Sequence, residues 1–172
     1  MKYQTHKKFL SVNLFEKVKS LIIDKDFPWR RRDHMTNDPR DKMYFTYAFY
    51  NNMMPLSEFY PLYIIPILKK LQAEAPIQVR ANMSISALFK ASQWHRDYQF
   101  KCKTAILYLN DCDGGTDLKI NNKSISIKAE ANKMLVFDTD ILHRGTTSKK
   151  EPVRYIINFN YFTHNFIERG EK

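Results

Sequence analysis

A mainly β jelly roll with helices packed against one of its sheets is the fold class that this sequence predicts. Three observations lead there. From Ile77 onward the chain breaks into six short segments, "IQVRANMSI", "TAILYLN", "TDLKI", "SISIKA", "MLVF" and "RYIINFNYF", which alternate or run apolar between Asn, Asp, Gly and Pro. That many strand-like segments in so short a span point to an antiparallel barrel or jelly roll. Before Ile77 the chain is mixed, with two stretches of helical apolar spacing among strand-like ones. The length of 172 residues, 44% hydrophobic and 14% aromatic, supplies one domain with a real core and too little for two.

Taken in order, "KKFLS" reads as a short strand and Ser11 as the N-cap of a helix running to about Asp24. Leu14, Phe15, Val18, Leu21 and Ile22 recur at three- and four-residue steps, which is one helical face. "MYFTYAFY" is strand-like. Ser57 to Gln72 reads as a second helix with Leu62, Ile65, Leu68 and Leu71 on one side; Pro61 fits its first turn and Pro66 should kink it. The expected division is 1–76 as helical buttress and flanking strands, and 77–162 as jelly-roll core, within a single domain over 1–172. There are no repeats or low-complexity segments, and with four glycines the loops turn on Asn, Asp and Pro.

The longest apolar run, "LYIIPIL", is far too short to span a bilayer, and "MKYQTHKKFL" lacks a signal-peptide core. A cytoplasmic protein with no membrane partner is expected, a monomer or weak dimer. Cys102 and Cys112 fit that compartment as two free thiols. The net charge of +10 favours acidic partners in general. Because the lysines are spread along the chain, a solvated surface accounts for them better than a nucleic-acid interface does. The one dense run is Arg30-Arg31-Arg32.

The chemistry concentrates later. "SQWHRDYQF" sets His95 and Asp97 two positions apart, so that on an extended chain both project to the same side. His143 follows the apolar stretch "MLVFDTDIL", and Arg154 comes eleven residues further on, opening the last strand. Two histidines and a carboxylate are the ligand set of a non-haem Fe(II) site with open positions. A planar guanidinium such as that of Arg154 pairs bidentately with the far carboxylate of a metal-chelating 2-oxoacid. Tyr108 is placed to add a hydroxyl to that carboxylate. Asn158 and Asn160 alternate with Arg154 and face the same cavity, where they are candidates for contacting O₂, co-substrate or substrate. Arg80 and Asn82 are candidates for the opposite wall. Asp138 and Asp140 orient His143 or form the turn before it; both readings stand. His6, His34 and His164 fall outside any ligand spacing and read as ordinary surface residues, and Trp94 reads as core or rim.

The ordered set His95-x-Asp97, His143, Arg154, with "TAILYLN", "GGTDLKI", "MLVF" and "VRYIINFNYF", resembles the 2-oxoglutarate- and Fe(II)-dependent oxygenases, in their prolyl-4-hydroxylase-like branch, and within it the compact phage and bacterial members. The resemblance covers about residues 77–162. It implies a double-stranded β-helix and a reaction that decarboxylates 2-oxoglutarate to succinate while hydroxylating a C–H bond of a peptidyl or amino-acid substrate. His95, Asp97 and His143 match the iron triad. Arg154 matches the co-substrate anchor, and Tyr108 a tyrosine that hydrogen-bonds the same carboxylate. Fe(II), 2-oxoglutarate and O₂ are the implied cofactors, with ascorbate as an accessory reductant. Two departures stand out. Met83-Ser84 occupies a place where the family often has a tyrosine, and "AEANK" replaces a Pro-x-x-Gly turn, leaving Asn132 to supply the left-handed residue. A cupin-like metalloenzyme without a 2-oxoacid, and a basic nucleic-acid-binding protein that has lost catalysis, are the alternative readings.

Overall fold

The structure, a computed structural model, describes residues 3–34, 43–88 and 90–164. Its strands are β1 (Tyr3–His6), β2 (Arg30–Arg32), β3 (Tyr44–Asn51), β4 (Met54–Pro55), β5 (Ala75–Ile85), β6 (Lys103–Tyr108), β7 (Gly115–Ile120), β8 (Lys123–Lys128), β9 (Met134–Asp138), β10 (Leu142–Thr146) and β11 (Val153–Phe162). The helices are α1 (Val12–Ile23) and α2 (Ile65–Lys70), the latter entered through a π-helical turn at Tyr60–Ile64. The strands form two antiparallel sheets, a large one ordered β1-β9-β6-β11-β5-β3-β2 with β4 on β3, and a small one ordered β10-β7-β8. Isolated bridges Ala91↔Thr146 and His95↔His143 give the small sheet a fourth lane. The result is the double-stranded β-helix expected from the sequence.

Period-two alternation on the central strands sorts side chains between two apolar layers. Along β6, Ala105 and Leu107 face the helices while Ile106 and Tyr108 face the small sheet. Along β11, Ile157, Phe159 and Tyr161 join Phe15, Val18, Ile22, Ile64 and Ile67 in the helix-covered layer. The alternate residues of β11, namely Arg154, Ile156, Asn158 and Asn160, turn between the sheets. That interior face of β11 is therefore polar at both ends, with Ile156 between Arg154 and the two asparagines, and the site spans both polar ends. Ser11 caps α1 by accepting from the Leu14 amide, as its sequence position predicts.

Three expectations about local structure are corrected. "KKFLS" is a loop, and the strand lies earlier, at β1. Lys8 has φ 50°, and the neighbours Phe9 and Leu10 are both buried, which adjacent residues of a one-sided strand do not achieve. The second helix is two pieces rather than one kinked helix: Pro66, with no N–H to give, sits in the first turn of α2. The wider π turn before it rotates the apolar face, so Ile64, Ile67 and Leu68 are buried while Leu62 is 70% exposed. The arginine run forms edge strand β2, pairing with β3. Cys102 and Cys112 are free and buried. Among the described residues no helix is long and apolar enough to cross a membrane.

Candidate active site

His95 and His143 are brought together by the backbone. Each amide donates to the other's carbonyl, at 3.0 and 2.9 Å, which makes the two residues a directly opposed antiparallel pair. Their rings stand side by side with centroids 4.4 Å apart. Asp97, two residues on, returns to the same side, and its Oδ1 lies 3.7 Å from His95 Nε2 and 3.5 Å from His143 Nε2. The ligand atoms of the three residues lie within 4.8 Å of one another, and no other such cluster of three occurs among the described residues. His95 Nδ1 is 2.9 Å from the Gln93 carbonyl, and His143 Nδ1 is 3.4 Å from that of Ile141. A carbonyl only accepts, so each ring carries a proton on Nδ1, which leaves Nε2 as the inward atom to meet a metal. This is the tautomer that a metal requires.

The two oxygens of Asp97 have separate tasks. Oδ1 faces the histidines. Oδ2 accepts from Asn160 Nδ2 at 2.8 Å, Asn158 Nδ2 at 3.2 Å and Thr104 Oγ1 at 3.4 Å. Burial works against the charge on this carboxylate, but His143, His95 and the Asn160 amide outweigh it and hold the group well below the usual carboxylate range. Asn158 thus lines the cavity, while Asn160, on the same face of β11, is buried beside it, and both amides are spent on orienting Asp97. Thr104 is a participant with no signal in the sequence, since threonine is ordinary on a strand.

At the other end of β11, Arg154 is 3% exposed. Its Nη2 lies 3.4 Å from Thr116 Oγ1, its guanidinium carbon is 5.9 Å from the centre of the Tyr108 ring, and its Nε is buried with no partner. No carboxylate among the described residues pairs with it; burial pulls its pKa below the ordinary arginine value. Gly145 makes room here, because a Cβ in its place would stand 3.1 Å from Arg154 Nη1. Tyr108 donates its hydroxyl to Thr116 Oγ1 at 2.8 Å, and burial pushes its pKa up to about 12, so it stays a neutral donor. Thr116 accepts from both Tyr108 and Arg154 and has its own proton left to donate into the cavity that it lines. The tyrosine predicted to touch a co-substrate therefore positions a threonine that reaches the same space.

The triad and Arg154 line one cavity of about 720 Å³ between the sheets, together with Arg80, Asn82, Ser84 and Tyr44. Arg80 and Asn82 line it too, but from β5, the neighbour of β11 in the same sheet, so they share the wall of Arg154 instead of forming the opposite one. Asp97 is the one carboxylate among the described lining residues. Asp138 and Asp140 belong to the turn before β10: the Ile141 amide donates to the Asp138 carbonyl, Lys103 pairs with the Asp138 carboxylate, and Arg96 Nε donates to the Asp140 carbonyl. Trp94 is half-buried, with the Arg144 guanidinium over its ring at 4.6 Å from the centre. A second groove of similar size, about 730 Å³, runs past β1, Lys69 and Lys103 and holds no metal-ligating cluster.

Residues 84–162 match the sequence profile of the 2OG-Fe(II) oxygenase superfamily, the superfamily that the motifs resemble. A search of curated protein sequences returned no match. Solved structures share the fold. A prolyl-4-hydroxylase from Pseudomonas putida superposes with TM-score 0.68 at 12% identity, over 94% of this chain and 92% of that one. A prolyl hydroxylase from Trichoplax adhaerens, in complex with a hypoxia inducible factor oxygen degradation domain peptide fragment, gives TM-score 0.70 at 14% identity, over 99% and 88%. A 2OG-Fe(II) oxygenase family oxidoreductase from Burkholderia pseudomallei gives 0.74 at 8% identity, over 95% and 86%.

Proposed function

We propose that this protein, acting as a single catalytic domain over its whole length, is an Fe(II)- and 2-oxoglutarate-dependent hydroxylase of a peptidyl or amino-acid C–H bond. The observation that carries the reading is Arg154. It is a buried guanidinium with no carboxylate of its own, in the cavity that the His95, Asp97 and His143 cluster shares. A desolvated cation without a counterion is costly. A dicarboxylate co-substrate that reaches from the triad to Arg154 supplies that counterion.

The residues present fit the group. Two inward Nε2 atoms and one carboxylate oxygen converge within 4.8 Å, the donor set suited to Fe(II). When bound, iron with 2-oxoglutarate and O₂ supplies the oxidation, in which the co-substrate leaves as succinate and CO₂. The chain's own side chains do the rest. Gln93 and Ile141 carbonyls hold the imidazole tautomers, and Asn158, Asn160 and Thr104 keep Oδ1 of Asp97 turned to the metal position. Arg154 and Thr116 take the far carboxylate, with Tyr108 fixing the threonine. Ile106 and Ile156 supply apolar wall around a centre that must exclude stray water.

A cupin-like metalloenzyme gives Arg154 no task. The test is succinate formation from 2-oxoglutarate in the presence and absence of Fe(II). Iron-dependent succinate supports the proposal. Iron binding with neither 2-oxoglutarate binding nor succinate moves the assignment to the cupin-like class.

A further inference from the structure

Four arginines line the cavity, and the function proposed above uses one of them. Arg154 lies opposite Ser84 on β5 and is turned toward Thr116 and Gly145. Arg80 lies four residues from Ser84 along the same strand, about 13 Å at the usual rise. It is directly opposite Asn158, whose amide holds Asp97. Arg80 therefore flanks the triad's carboxylate on the β5 side, away from the co-substrate anchor.

Two unmade hydrogen bonds meet there. Arg80 Nε is buried with no acceptor. Asn158 Oδ1 is buried with no donor. The orientation of that amide is fixed, because the Asp97 carboxylate only accepts and so takes the NH₂ side. Residues directly opposed in an antiparallel pair project to the same face. Both atoms are sealed from water in this structure and neither satisfies the other, and the two side chains that carry them line the cavity beside the triad. Further out, Arg32 and Arg96 add positive charge at the cavity lip. No carboxylate in the described lining offsets these cations except Asp97, which the histidines already engage.

We infer that the primary substrate is a small molecule carrying an oxyanion that Arg80 holds, with a hydrogen-bond donor beside it for Asn158. This rests on the oxygenase reading of the same site and narrows its substrate. A free α-amino acid offers both features in its carboxylate and ammonium. A phosphate monoester offers the first. The interior of a peptide is neutral and leaves Arg80 unmet. Arg32 and Arg96 at the lip draw anions toward the cavity.

The test uses the full chain, loaded anaerobically with Fe(II) and 2-oxoglutarate. The iron charge-transfer band reports co-substrate binding first; if it never forms, the oxygenase reading itself fails, and this substrate with it. With the band present, three sets of probes are added: free amino acids with their carboxamides, nucleoside 5′-monophosphates, and an N-acetylated, C-amidated prolyl peptide. The expected result is that a free amino acid perturbs the band and stimulates succinate formation while its carboxamide does not. Arg80→Leu should weaken that probe by about tenfold or more, and Arg80→Lys, which keeps the charge and guards against a folding failure, should recover part. Affinity for 2-oxoglutarate should change less than about twofold in both variants, because Arg80 is remote from the anchor. A response to a nucleotide alone, with the same dependence on Arg80, supports the oxyanion and assigns it to phosphate. A response to the neutral peptide that survives Arg80→Leu overturns the inference. So does a band unmoved by every acid and nucleotide, or a loss of 2-oxoglutarate affinity in Arg80→Leu equal to that in Arg154→Leu.

Discussion

Replacing Arg154 by leucine should move two measurements in opposite directions. The guanidinium is 3% exposed, its Nε has no partner, and the nearest acceptor to its Nη2 is Thr116 Oγ1 at the long distance of 3.4 Å. Folding strips this cation of water and returns little. Exchanging buried charge for apolar volume is neutral or stabilising when the charge is poorly compensated. The metal-free Arg154→Leu protein should therefore be unchanged to about 2 kcal/mol more stable, up to about 4–8 °C in Tm for a chain of this size. Binding should go the other way. Truncating one side of a buried charged pair costs about 2–5 kcal/mol, which is roughly 30-fold to several-thousand-fold in affinity for 2-oxoglutarate. Iron binding should survive, since no ligand is touched. Arg154→Lys should fall between, keeping the charge and losing the fork. Calorimetric melting of the metal-free protein, paired with anaerobic titration of 2-oxoglutarate into the iron-loaded form, reads both. A variant that melts several degrees lower and binds 2-oxoglutarate normally would show Arg154 to be a structural residue, and the reasoning would be refuted.

Other consequences are as direct. His143→Ala and Asp97→Ala each remove one of three converging ligands and should abolish both stoichiometric iron binding and succinate formation; normal values in both would end the triad assignment. Asn160→Ala removes the shortest bond to Asp97 Oδ2, at 2.8 Å, and should weaken iron by about 10–100-fold, measured by competition with a chelator; an unchanged affinity would mean that Asp97 needs no such support. Asn132→Ala should cost about 2–4 kcal/mol in chemical denaturation, because Asn132 has φ 60° and its side chain bonds both the amide and the carbonyl of Leu10, at 2.8 and 2.9 Å; a loss under about 0.5 kcal/mol would contradict this. Dispersed lysines should give only weak nucleic-acid binding that falls steeply with salt in an anisotropy series, and a tight complex at physiological salt would reopen the nucleic-acid reading.

The parts of this fold that were legible in the sequence are those governed by a period. Alternation on β11 put Arg154, Asn158 and Asn160 on one face, and helical spacing with a Ser11 cap placed α1 within a residue of its ends. The π turn at Tyr60–Ile64 broke the period, so the buried face of α2 was misplaced although its existence was not. "KKFLS" failed for a related reason. Its conformation is set by Asn132, 122 residues away from Leu10, and no local pattern carries that distance.

The same distinction runs through the site. A period of two states which way a side chain points and says nothing of what it meets. Asn158 and Asn160 were placed toward the cavity by alternation with Arg154, yet what they meet is the second oxygen of Asp97. Tyr108 points inward, yet Thr116, on a strand of the other sheet, receives its hydroxyl. The His95-x-Asp97 spacing was informative for a further reason. The backbone pair between His95 and His143 aligns the imidazoles, and residue i+2 of an extended chain returns the carboxylate to the same side. A triplet spacing and one cross-strand pairing thus suffice to converge three ligands. The cations of the cavity obey no such rule. Arg80 and Arg154 come from neighbouring strands in different thirds of the sequence, and only the β5–β11 register shows that they sit at separate places on one wall. From that separation it follows that a single dicarboxylate at the triad satisfies Arg154 and leaves Arg80 for a different anion.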